Sequence, residues 1–115
     1  MVSLNSTKQF KLDDPEIEAT IYYLTSDEGG RASTIYNGYR GTFYYDGKYN
    51  SAAQEFIGQD KCEPGDTVKA LMIFAAPEVQ KARLHIGLKF KITEGARIVG
   101  LGEIVKIMRS DFIKR

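Results

Sequence analysis

The sequence predicts an all-β protein of short strands, a barrel or a sandwich. Three observations carry that expectation. Apolar and polar residues alternate with period two through several short segments. Turn pairs rich in glycine, proline, asparagine and aspartate separate those segments. No segment sustains a helical period. Closure into a barrel also removes the strand edges that would otherwise recruit other chains.

Residues 1–15 are expected to form a flexible lead-in, polar apart from Phe10 and Leu12 and punctuated by Asp13-Asp14-Pro15. The barrel domain is assigned to residues 16–108. It opens with a strand in which Ile17, Ala19, Ile21 and Tyr23 alternate with Glu18, Thr20, Tyr22 and Leu24. Asp27-Glu28-Gly29-Gly30 breaks it, since adjacent glycines reach backbone angles that other residues resist. Ser33–Tyr36 is a short strand closed by Asn37-Gly38, and Thr42–Tyr45 is another, stopped by Asp46-Gly47. Gln54–Ile57 is a weaker candidate. Glu63-Pro64-Gly65-Asp66 is a turn that leads into a strong strand over Thr67–Ala76. Leu84, Ile86, Leu88, Phe90 and Ile92 give the clearest half-buried strand, with His85 on its outward phase. Glu94-Gly95 turns it back into Arg97–Met108, where Gly100 and Gly102 suggest bending or close backbone approach. Residues 109–115 are expected to be a basic tail.

A chain of 115 residues fits one domain and can bury a core without staples. Its net charge of +1 argues against a general polyanion binder. The distribution is uneven. Residues 1–76 hold seven basic and eleven acidic residues, and residues 77–115 hold nine and four. An anionic partner is therefore better placed on the late strands. The single Cys62 rules out an internal disulfide, and a reducing compartment is expected. Residues 1–5 have neither a basic start nor an apolar core. The longest apolar run, Ala70–Ala76, is too short to cross a bilayer as a helix. Cytoplasmic location and no membrane partner are the expectations.

Several stretches taken in order carry a resemblance. They are Asp27-Glu28-Gly29-Gly30-Arg31, Gly38-Tyr39-Arg40, Phe43-Tyr44, Pro64-Gly65-Asp66, Leu88-Lys89-Phe90 and Glu94-Gly95-Ala96-Arg97, with Val99-Gly100-Leu101-Gly102 in the last strand. The ordered set, from about Ile17 to Ile107, resembles the third domain of bacterial elongation factor Tu. The resemblance implies an all-β fold, a small closed antiparallel six-stranded β-barrel of the translation elongation factor type. In that family the barrel packs on a second barrel and on the GTPase domain. It also lends surface to the T stem of aminoacyl-tRNA and to the nucleotide-exchange factor. Here the barrel is expected to stand alone, without GTPase activity, because no Gly-x-x-x-x-Gly-Lys-Ser/Thr loop occurs in these 115 residues. The family's Arg-Thr-Thr after the aromatic strand is replaced by the region of Tyr45-Asp46-Gly47-Lys48. An acid there repels phosphate, so RNA is the weaker partner and a protein, a translation component by resemblance, the stronger.

Arg31, Tyr39, Arg40, Tyr44, Lys48, Arg97, Gly100 and Gly102 form the expected partner-binding set. Each arginine has two readings, contact with a partner's phosphate or carboxylate and bracing of its own turn. The many tyrosines suit strand packing and interface anchoring alike. No catalytic residue, metal ligand set or cofactor is expected. His85 is the only histidine, and Cys62 sits in a charged turn with nothing to activate it. The expected function is thus a non-catalytic interaction module. The alternative is a structural barrel that oligomerises or joins a larger assembly, because a flank buried in the family would here need a neighbour.

Overall fold

The computed structural model describes Phe10–Arg115, so most of the expected lead-in, residues 1–9, lies outside the described residues. Eight strands follow in chain order: β1 Ile17–Tyr23, β2 Ile35–Tyr36, β3 Thr42–Tyr45, β4 Lys48–Phe56, β5 Lys61–Cys62, β6 Thr67–Phe74, β7 Lys89–Glu94 and β8 Arg97–Ile107. Six of them close a barrel in the order β1-β6-β4-β3-β7-β8. Every pairing in it is antiparallel. The expected fold class is therefore the observed one. β2 and β5 lie outside the barrel as a separate ribbon.

Alternation sorts the side chains. Ile17, Ala19, Ile21 and Tyr23 of β1 are buried, as are Val68, Ala70, Met72 and Phe74 of β6. The centre is aromatic. Phe43 stacks on Phe90 at 3.9 Å between centroids and meets Phe74 edge-on at 4.9 Å. The β3–β4 hairpin forms because Asp46 and Gly47 both adopt positive φ, 50° and 73°, as a two-residue mirror-image turn requires.

Three expectations are corrected. The alternating stretch from Leu84 becomes a strand only at Lys89. Gly87 takes φ +88°, which breaks the extended path, and Ile86 is 59% exposed rather than inward. Leu84 is buried for another reason. It bridges in parallel to Ile113, and Lys114 N donates to Leu84 O at 2.7 Å. The weak candidate at Gln54–Ile57 is, up to Phe56, the end of the nine-residue β4, whose polar start is held by pairing with β3. Cys62 is not in the charged turn but ends β5, just before it. It pairs with Ile35 and is 2% exposed. Burial first, and then Asp66 and Glu63, push its thiol up to about 12. We predict that a disulfide thiol reagent leaves Cys62 unmodified in native buffer and reacts on addition of denaturant, as followed by absorbance.

The C-terminal residues fold back onto the barrel. Ser110–Phe112 form a 3₁₀ turn, and Phe112 is fully buried, 6.0 Å from Phe74. Arg109 stacks over the Phe112 ring at 4.6 Å and donates to the buried Glu16 carboxylate at 3.1 Å. The other oxygen of Glu16 accepts from Phe74 N at 2.8 Å, so the buried charge is paired and hydrogen-bonded.

Candidate partner-binding surface

One end of the barrel gathers residues far apart in sequence. After β1, Thr25 caps a 3₁₀ turn over Ser26–Glu28 by reciprocal bonds: Glu28 N donates to Thr25 Oγ1, and Thr25 N donates to the Glu28 carboxylate. Gly29, at φ +92°, ends that turn and delivers Arg31 to the rim. Glu94 closes β7 there, and Arg97 opens β8 as its register partner.

Glu94 organises the rim. Its Oε2 accepts from Arg31 Nη1 at 2.6 Å and from the Tyr39 hydroxyl at 2.5 Å. The Arg31 guanidinium also lies 5.2 Å over the Tyr39 ring and donates to Ser33 Oγ and Thr34 O. Arg97 Nη1 donates to Gly30 O at 3.4 Å. Burial raises the Tyr39 pKa, and the Glu94 carboxylate raises it further. Burial also pulls the Glu94 carboxyl up, but the Tyr39 hydroxyl and Arg31 outweigh it and the net shift is downward. A carboxyl depressed in the folded state adds stability above its unfolded value near 4.5, and that stability is lost as pH falls through the folded value. The Glu94 side chain is 36% exposed, so screening holds the effect to about 1 kcal/mol or less. Glu94→Gln should therefore destabilise at neutral pH and flatten the acid limb of a stability–pH curve measured by urea unfolding. An unchanged acid limb would show that Glu94 is not the titrating group.

The eight expected residues do not form one cluster. Arg31, Tyr39 and Arg97 share the rim, and Arg31 takes its bracing reading through Glu94 and its own loop. Arg40 is exposed next to them in sequence. Tyr44 is on the outer wall, packed on Tyr49 at 4.6 Å. Lys48 starts β4 opposite Tyr45. Gly100 and Gly102 serve the interior, where a Cβ on Gly102 would come within 2.2 Å of the Phe90 ring and one on Gly100 within 3.3 Å of Ile92. Sequence reading missed Glu94 as the organiser. The one signal was an acid at a hairpin corner, and its partner Arg31 is 63 positions away.

A second feature was also missed. Register aligns outward residues across the wall: Tyr49 with Tyr44, Tyr44 with Lys91, Lys91 with Leu101, and Leu101 with Tyr22. Tyr22, Tyr44, Lys91 and Leu101 line a groove of about 790 Å³. Among the described residues no group of three or more His, Cys, Asp or Glu could hold a metal ion, and His85 is exposed. No helix among them is long and apolar enough to cross a membrane.

A closed six-stranded antiparallel barrel with its rim pinned at a glycine turn and a closing hairpin defines a small all-β barrel domain. The sequence matches the elongation factor Tu C-terminal domain over residues 13–108, and the chain belongs to that family.

Proposed function

We propose that this chain is a non-catalytic interaction module of translation, that it binds a protein component of the machinery, and that these residues hydrolyse no GTP. The observation that carries the reading is the rim. Glu94 fixes Arg31 and Tyr39 at 2.6 and 2.5 Å, and two arginines adjoin that frame in an exposed position, Arg97 as the register partner of Glu94 and Arg40 as the residue after Tyr39. Side chains held in place before contact lose less entropy on binding, and arginine matches a partner's carboxylates in a fork geometry. Tyr44 and Lys48 extend the surface along the wall. Gly100 and Gly102 belong to it through the packing they permit beneath β8. RNA is disfavoured by Asp46, which stands at the tip of the β3–β4 hairpin. The reading places the protein in the cytoplasm.

Affinity capture from native lysate tests it. Wild type should enrich ribosomal or translation-factor proteins, and the Arg40→Glu/Arg97→Glu double variant should lose them. Equal recovery with both, or recovery of none, removes the reading. The alternative, a barrel that self-associates, draws on the exposed Leu101 and Val105, which are 46% and 40% accessible. Light scattering at high concentration decides that case, because a strict monomer excludes it.

A further inference from the structure

We propose that the outer wall of β3, β7, β8 and β1 docks a short partner segment in which a carboxylate neighbours an aromatic or aliphatic side chain. The proposal rests on the protein-contact reading and assigns a partner chemistry to its wall side, which shares Tyr44 with that reading and adjoins the Glu94 rim.

Charge on the wall selects the occupant. The groove carries four charged residues, Lys89, Lys91, Asp46 and Glu103. Lys89 and Glu103 pair with each other at 3.4 Å. Lys91 forms no ion pair among the described residues, and its register neighbours are Tyr44 and Leu101, neither of them an acid. A lysine set between an aromatic and an aliphatic side chain offers one carboxylate contact flanked by apolar surface. Leu101 is 46% exposed, which is high for leucine in an ordered strand, and its burial on docking adds a hydrophobic gain. The Tyr22 hydroxyl donates to the Glu28 carboxylate at 2.6 Å, which orients its ring and puts an acid at the β1 end of the row.

Asp46 sets polarity. It lies at the hairpin tip, beyond Tyr44, and repels acid at that end. The segment therefore places its carboxylate over Lys91 and neutral or basic residues toward Asp46 at one end and toward Glu28, beside Tyr22, at the other. A nucleic-acid strand fits poorly, because it needs a run of cations and the wall leaves one lysine unmatched.

The test uses the full chain and fluorescein-labelled peptides read by anisotropy. The probes are a peptide alternating Asp with Phe and Leu, the same peptide with Lys for Asp, the same with Ala for Phe and Leu, and an oligo-uridine RNA. The acidic apolar peptide should bind best. Lys91→Glu should weaken it by about tenfold or more and shift preference to the lysine peptide, since a charge swap exchanges attraction for repulsion. Leu101→Ser should weaken both. Both positions are exposed, so unchanged circular dichroism confirms the fold. Equal binding of the acidic peptide by wild type and Lys91→Glu overturns the proposal. So does stronger binding of RNA, no binding of any peptide, or self-association that Leu101→Ser abolishes. A rim variant that loses lysate partners but keeps peptide binding separates failure at the rim from failure at the wall.

Discussion

Phe112→Ala should lower the unfolding free energy by about 3–5 kcal/mol, the range for emptying a buried aromatic site. Phe112 is fully buried. Its ring meets Phe74, which meets Phe43, so the cavity would open at the end of the aromatic stack. The surroundings cannot collapse easily. Arg83 N and Leu84 N both donate to Phe112 O, which fixes the segment across the 77–88 loop. Removal also leaves Arg109 without the ring it covers, while Glu16 remains buried. Ending the chain at Met108 should cost at least as much, because it deletes the ion pair to Glu16 as well. Urea unfolding of the two variants measures this. A loss below about 1 kcal/mol would mean that the C-terminal segment is not part of the cooperative unit.

Gly30→Ala should be the most damaging small substitution, at or above the upper end of the ~1–3 kcal/mol usual for overpacking. An added Cβ would lie 2.3 Å from Leu24 O and 2.7 Å from Leu24 C. Those are backbone atoms, fixed by the bond from Leu24 N to Val99 O, so no side chain can swing aside. The loop must move instead, and it carries both Arg31 and the carbonyl that Arg97 binds. Stability and rim contacts should therefore fail together. Thermal unfolding and lysate capture on the same variant check both halves. A variant of wild-type stability would show that the turn is more plastic than its geometry implies.

Most of the barrel was legible because its rules are local. Alternation in Ile17–Tyr23 and Thr67–Phe74 is a property of neighbours, and so is the turn chemistry of Asp46-Gly47. The failures share a cause. Leu84 and Ile86 alternate correctly, yet Leu84 is claimed by Ile113 and Lys114, and the positive φ of Gly87 leaves Ile86 exposed. Lys48–Ser51 is polar and became strand only through its partner β3. The rim that gathers Arg31, Tyr39 and Arg97 was only partly legible for the same reason. Arg31, Tyr39 and Arg97 lie on family motifs, but nothing near Arg31 announces that Glu94 would claim it. Lys91, Leu101 and Tyr22 look like ordinary outward residues until register aligns them in one row.

The most direct measurement is an amide chemical-shift map of the labelled chain, titrated with the translation protein recovered by capture. The account predicts that shifts concentrate at Arg31, Tyr39, Arg40, Glu94 and Arg97, with a second set along Tyr44, Lys91 and Leu101. Shifts confined to the β2–β5 ribbon or to the C-terminal segment, with the rim and wall unmoved, would contradict it.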